Sequence, residues 1–398
     1  MLVNELYLEG FRNYHQETVQ FGSSINIIVG SNAQGKTNLI ESIYFLASGR
    51  SFRQATDKEM ISFGNDSACI RANVISGGRE QTLEARLFRE HRRELFANGV
   101  KLKKASELTG RITVVQFGPD DLDMIKDGAI VRRKLMDQCL SQMRPAYFAA
   151  LSEFNKLYEN KLRILRNYHE KPSLLELLDD FNLRIAQQSA RLIYYRTAFA
   201  AALARRAAAI YSEFSGGAET LSIRYKTVGN IDTSNKKPEQ ILPDLLEKQK
   251  EHYHAELRSG TCLTGAHKDD LEIYINGVPA RKFGSQGQMR TASVSIKLAE
   301  RDIHYDDAGE YPILLLDDVL SELDHLRQNY VLGKIGEGQV FITCCDSRIV
   351  SHAKNSTLIN IHQGKLRVEK SLSHQSMEDD SENEIPCTDD YCVHDYCV

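Results

Sequence analysis

The chain has 398 residues, 42% of them hydrophobic and 26% charged, enough for two or three domains with packed cores. No apolar run approaches the 18 or more residues of a membrane span, which excludes a helical integral membrane protein. The formal charge of −4 is uneven, because residues 371–398 hold eight acids and no Lys or Arg; residues 1–370 alone carry +4, a balance that permits nucleic-acid binding without requiring it.

Taken in order, residues 2–8 alternate apolar and polar and predict a strand, followed by an irregular turn at Gly10-Phe11-Arg12-Asn13-Tyr14. A second strand over 25–29 runs into Gly30-Ser31-Asn32-Ala33-Gln34-Gly35-Lys36-Thr37. Residues 38–46 follow as a helix with Leu39, Ile40, Ile43 and Leu46 on one side. Two glycines with four residues between them, then Lys and a hydroxyl, placed between strand and helix, make a phosphate-binding loop. Gly30 and Gly35 let the backbone lie against phosphates, and the N–H groups from Gly30 to Asn38 with the helix N-terminus bind anionic oxygens. Lys36 supplies a point charge at the β and γ phosphates, and the Thr37 hydroxyl suits Mg²⁺. ATP and Mg²⁺ are the expected ligands.

Strand-like segments recur near 67–76, 80–88 and 93–102, with turns at Gly77-Gly78 and Asn98-Gly99, and again at 112–117 before Gly118-Pro119. From Asp120 the periodicity becomes helical. Tyr147, Leu151, Phe154, Tyr158, Leu162 and Leu165 form one apolar stripe on a helix that Pro145 can start. Leu178, Phe181, Ile185, Leu192, Phe199, Leu203 and Ile210 form a seam along 172–214, about 60 Å if continuous, stopped by Ser215-Gly216-Gly217. A helix over 238–258, a hairpin of 271–275 and 278–283 around Asn276-Gly277, a helix over 286–302, and buried strands over 313–316 and 340–343 complete the body.

The location expected from these features is cytoplasmic. The first residues lack a signal-peptide core, and Cys69, Cys139, Cys262, Cys344 and Cys345 show no metal-ligand spacing. Cys387, Cys392 and Cys397 recur at five-residue steps in the tail without a fourth ligand, and the segment reads as disordered.

A phosphate loop needs a carboxylate at the end of a neighbouring strand. Pro312-Ile-Leu-Leu-Leu-Asp317-Asp318 provides one, with Asp317 on the magnesium side and Asp318 to orient or deprotonate the attacking water. Lys36 and Asp317 lie 281 positions apart, so the nucleotide-binding core is assembled from both ends of the chain. The expected fold is an α/β ABC-type ATPase head split over residues 1–119 and 260–370, with a mainly helical insert at 120–259 and an acidic tail at 371–398. Ser285-Gln286-Gly287-Gln288 before a helix matches the signature loop of that class, and Ser321-Glu322-Leu323-Asp324 its D-loop.

Within the class, the body resembles the RecF family of recombination mediators. The resemblance rests on Phe11 to Tyr14, the phosphate loop, Phe117-Gly-Pro-Asp-Asp-Leu122, Arg132-Arg133 through Asp137, Gly265-Ala-His-Lys-Asp-Asp-Leu271, the signature loop and Leu315 to Asp324. It implies a homodimer formed with ATP, in which Ser285, Gln286, Gly287, Gln288 and Asp324 contact the nucleotide of the other subunit. It also implies that Arg12 and Asn13 approach the nucleotide and that Gln116 is the metal-side glutamine. The implied partners are gapped DNA at single-strand to double-strand junctions, RecO, RecR and RecA. The implied reaction is slow, DNA-stimulated ATP hydrolysis.

Three departures stand out. Ala33 replaces a common Gly, Gly265-Ala266-His267-Lys268 replaces Gly-Pro-His-Arg, and no switch His follows 340–343, where Asp346 lies. A dimer scaffold that does not hydrolyse ATP and an SMC- or Rad50-like organiser are the alternatives. Lys101, Lys103, Lys104, Arg132, Arg133, Arg163, Arg166, Arg205 and Arg206 are the possible DNA phosphate contacts.

Overall fold

A computed structural model describes residues 1–345 and 356–370. Its central layer is a six-stranded sheet in the order Lys365–Lys370, Ser356–His362, Ile25–Val29, Val340–Cys344, Ile313–Asp317, Val114–Phe117. The last five run parallel, and Lys365–Lys370 closes one edge antiparallel. Both faces are covered, which is why these strands read as continuous apolar runs. Ile28, Ile313, Leu315, Phe341 and Ile359 face one side, and Ile27, Val115, Leu314, Leu316 and Ile342 the other.

The first face packs on the helix Lys36–Ser48 and on an antiparallel sheet ordered Tyr14–Gln20, Leu2–Phe11, Ser67–Ser76, Arg79–Phe88, Glu94–Ala97, Val100–Lys101. The second face packs on a helical layer comprising Ala129–Met143, Pro145–Asn167, Leu178–Phe214, Pro238–Ser259 and Gln286–Ala308. The seam along the long helix is buried as expected, apart from a half-buried Phe181. The free edge of Val114–Phe117 is capped at its start by Gln142, whose amide accepts from the Val114 N–H at 2.8 Å and donates to its carbonyl at 3.0 Å.

Several elements differ from the sequence expectation. The turn at 10–14 is a tight hairpin, with Phe11 paired to Tyr14 and a strand continuing to Gln20. Residues Pro172–Leu177 form a 3₁₀ turn, so the long helix begins at Leu178. The second arm after Asn276-Gly277 is only Val278–Pro279, because Pro279 has no N–H to extend the ladder; Ala280–Phe283 then turns helical. Strands Leu221–Lys226, Ser356–His362 and Lys365–Lys370 were not expected. The first pairs with Asp270–Ile275 and so joins residues on both sides of position 260. Asp346 and the tail cysteines lie outside the described residues.

Two of the family-like blocks meet in one buried charge network. Arg196 donates to Asp269 at 2.9 Å, Asp137 at 2.8 Å, the Ala266 carbonyl at 2.6 Å and the Tyr147 hydroxyl at 2.9 Å. Arg132 forks onto Asp270 at 2.8 and 3.0 Å. Burial pushes the Asp269 carboxyl up to about 6, against the opposing pull of Arg196 and the Tyr225 hydroxyl. These residues tie the insert to the strand Asp270–Ile275.

Candidate functional site

The phosphate loop is held from two sides. Asn13 Nδ2 donates to the Gln34 carbonyl at 2.8 Å, the Tyr14 hydroxyl to the Gly35 carbonyl at 2.9 Å, and Asn38 Nδ2 to Asn13 Oδ1 at 2.8 Å. From the C-terminal hairpin, the Gln363 N–H donates to Gln34 Oε1 at 2.5 Å. Two glycines are required by this packing: a Cβ on Gly30 would lie 2.6 Å from the Ile361 carbonyl, and one on Gly35 (φ +115°) 2.6 Å from Asn13 Nδ2. Ala33 takes φ 64° in the exposed outer turn, a left-handed conformation that a side chain makes costly.

Lys36 is 4% exposed. Its Nζ donates to the Gly30 carbonyl at 2.9 Å, the Ser31 carbonyl at 3.3 Å and Cys345 Sγ at 3.3 Å, with Asp318 at 3.9 Å. The Thr37 hydroxyl donates to Asp317 Oδ1 at 2.9 Å, and Thr343 donates to the same oxygen at 2.9 Å. Neighbouring ligands of an octahedral Mg²⁺ at 2.0–2.1 Å are about 2.9 Å apart, so the hard oxygens of Thr37 and Asp317 fit that ion. Burial raises the Asp317 carboxyl above the ordinary range, while the hydrogen bonds from Thr343 and Thr37 pull it back. Asp318 has φ 51° and is fixed by its N–H donating to Thr343 Oγ1 at 2.8 Å. Gln116 lies opposite Leu315 on the edge strand, its amide beside Gly118 at the same end of the sheet as Asp317.

Arg12 is bound on the far side of the loop. Its guanidinium forks onto the fully buried Glu41 at 2.9 and 2.9 Å and donates to the Glu59 carbonyl at 2.9 Å. In this geometry it fastens the hairpin turn to the helix that follows the loop, leaving two of its five N–H donors for other partners.

Ser285 to Gln288 lie elsewhere on the surface. Ser285 caps the helix Gln286–Ala308: its Oγ accepts from the Gln288 N–H at 3.2 Å, and Gln288 Oε1 accepts from the Ser285 N–H at 2.9 Å. The hydroxyl proton of Ser285 is not used by this cap. Gln286 is exposed, and the Gly287 carbonyl accepts from Arg327 Nη2 at 3.0 Å. Asp324 caps the next helix, accepting from the Arg327 N–H at 3.0 Å and pairing with its guanidinium. Phe283 and Leu326 beside these loops are 68% and 69% exposed. The structure thus gathers Lys36, Thr37, Asn13, Asp317 and Asp318 in one place, and Ser285, Gly287 and Asp324 in another.

Two residues at the loop escaped the sequence reading. Arg53 donates to Asn38 Oδ1 at 3.2 Å and lowers the Asp317 carboxyl; Cys345 donates to Asn32 Oδ1 at 3.0 Å. Neither position follows from a motif spacing. One candidate DNA contact is corrected: Arg132 is 4% exposed and saturated by Asp270 and the carbonyls of residues 124, 125 and 127, so it cannot reach a phosphate.

The family described as the RecF/RecN/SMC N terminal domain matches residues 2–368. The DNA replication and repair protein RecF of Clostridioides difficile (strain 630) is 37% identical over 371 residues, 92% of this chain and 98% of the relative. That of Listeria innocua serovar 6a is 36% identical over 374 residues, 92% of this chain and all of the relative. A solved structure of the recombination mediator protein RecF with ATP, in the RecFOR pathway, aligns with TM-score 0.84 at 33% identity over 93% of this chain and 97% of that one. An Smc head domain from Pyrococcus furiosus aligns with TM-score 0.52 at 17% identity over 93% of this chain and 96% of that one, a likeness of fold alone.

Proposed function

This chain belongs to the RecF family of DNA replication and repair proteins, and from that premise we propose that it is an ATP-gated dimeric DNA clamp with slow ATPase activity. The observation that carries this reading is the separation of two anion-binding loops. The phosphate loop closes in cis with Asp317, whereas among the described residues the Ser285 loop meets no phosphate loop or metal-side carboxylate of its own subunit. A second copy resolves the mismatch by presenting its Ser285 hydroxyl and helix N-terminus to the γ-phosphate. Phe283 and Leu326 become buried in that contact.

In the bound state Lys36 would exchange its carbonyl partners for phosphate oxygens, and Thr37 and Asp317 would hold Mg²⁺. When bound, Mg²⁺ supplies charge neutralisation at the β and γ phosphates. Asp318 orients a water toward the γ-phosphate, and Gln116 stands on the metal side. The chain positions and stabilises charge rather than forming a covalent intermediate. The dimer is proposed to bind gapped DNA at single-strand to double-strand junctions and to act with RecO and RecR in loading RecA.

The experiment is ATP turnover with and without gapped DNA. Stimulated turnover that Asp318→Asn abolishes while ATP-dependent dimers persist supports the reading. ATP-dependent dimers with no turnover under either condition would leave the scaffold that does not hydrolyse ATP as the function.

A further inference from the structure

At the opposite end of the helix Lys36–Ser48 from the phosphate loop, a cleft of about 560 Å³ opens between the two halves of the molecule. One wall is the end of that helix and the loop after it, with Ser48, Arg50 and Ser51. The other is formed by the helices Ala129–Met143 and Pro145–Asn167. Its charge is lopsided. Arg93 pairs with Asp57 at 3.2 Å, and Arg196 with Asp137 at 2.8 Å. Three further cations have no carboxylate in contact among the described residues. Arg133 donates to the Asp269 carbonyl at 2.6 Å, Lys134 to the Phe52 carbonyl at 3.1 Å, and the Arg50 guanidinium lies 5.8 Å from the centre of the Phe148 ring. Burial and the neighbouring Arg196 push the Arg133 guanidinium down from its ordinary value, against the opposing pull of Asp269, Asp270 and Asp137 nearby. His267 reaches the same cleft with Nδ1 buried and unpartnered.

We infer that this cleft takes the phosphodiester backbone of a single DNA strand, with Arg50, Arg133 and Lys134 as its phosphate contacts and Phe148 as a stacking surface for a base. The inference rests on the DNA-binding part of the proposed function and names where one strand goes. The volume is that of a pocket for one compact ligand; it fits unstacked nucleotides and excludes a base-paired helix. Cations beside an aromatic ring are the chemistry by which proteins hold single strands with little sequence preference.

The test measures the affinity of the full chain for a fluorescein-labelled oligothymidylate and for a blunt duplex of equal length, over a range of salt concentrations. The Arg50→Ala/Lys134→Ala protein removes two phosphate contacts. The slope of log K against log salt for the single strand is expected to fall by about 1.4, roughly a 25-fold loss at 0.1 M salt. Phe148→Leu is expected to lose about tenfold. Duplex affinity and ATP binding stay within about twofold of wild type, the latter also establishing that both variants fold. Unchanged oligothymidylate affinity in both variants overturns the assignment and leaves DNA binding elsewhere intact. Equal losses on duplex and single strand also overturn it. All binding is measured with ATP and Mg²⁺ present, and a wild-type protein that then binds neither of these DNAs nor a gapped duplex overturns the DNA-binding reading itself.

Discussion

The phosphate loop and the Ser285 loop proposed to meet a partner's nucleotide are built from similar parts and finished to different degrees. At the phosphate loop, partners arrive from the N-terminal hairpin, the C-terminal hairpin and two central strands, so the loop is shaped before a nucleotide arrives. At the Ser285 loop, the side chains of Ser285 and Gln288 cap each other's backbone N–H, and two large apolar side chains next to them face outward. The short turn Val319–Glu322 runs between the two regions, with Asp318 near Lys36 at one end and the Glu322 carbonyl accepting from Arg290 at 2.8 Å at the other. One loop is preorganised to bind, and the other to be bound. What differs is exposure, since the first loop buries Lys36 among its partners and the second leaves the Ser285 hydroxyl, Phe283 and Leu326 at the surface.

The largest test of that contrast is Lys36→Met. Losing the buried cation is expected to weaken ATP binding by about 3 kcal/mol or more, over a hundredfold in Kd, as read by titration calorimetry. Dimerisation goes with it, since the second loop has nothing to meet. A variant that still dimerises with ATP would break the contrast.

Next in size is a pH effect confined to the first loop. Burial places the Asp317 carboxyl above the usual carboxylate range, so on acidification it takes up a proton before exposed acids do. The folded chain binds that proton at a higher pH than the unfolded chain does. The neutral form therefore favours the fold as pH falls, while the Mg²⁺-dependent part of ATP affinity is lost. Calorimetry at descending pH is expected to show this loss in the wild type and a weak, flat profile in Asp317→Asn. Ser285, Gln286, Gly287 and Gln288 carry no titrating group and should add no pH dependence of their own.

The smallest expected effect is that of Ala33→Gly. Relieving φ 64° gains about 1–2 kcal/mol, and glycine's greater freedom in the unfolded chain returns about half of that, for a net gain of no more than about 1 kcal/mol in denaturant unfolding. A larger gain would mean that the loop is strained beyond this residue.

Much of the phosphate loop was legible in the sequence because its chemistry is encoded at fixed local spacing. Asp317 was legible because a run of four apolar residues ending in acids has few other uses. What surrounds them was less so: Asn13 came only through the family resemblance, and Arg53, Cys345 and Gln363 act through partners that no local pattern records as tertiary hydrogen bonds. Arg132 looked like one more surface cation, and its partner Asp270 lies 138 positions on. The strand Leu221–Lys226 alternates in the ordinary way, yet a six-residue segment just past a long helix gives little signal until its partner Asp270–Ile275 is placed beside it.

The central claim, that two copies complete each other's nucleotide site, is tested most directly by sedimentation velocity of Ser285→Arg with ATP and Mg²⁺. Arginine at this exposed position leaves the phosphate loop untouched and blocks the facing surface. The account predicts wild-type ATP affinity in a protein that sediments as a monomer. A Ser285→Arg protein that dimerises normally with ATP would contradict it.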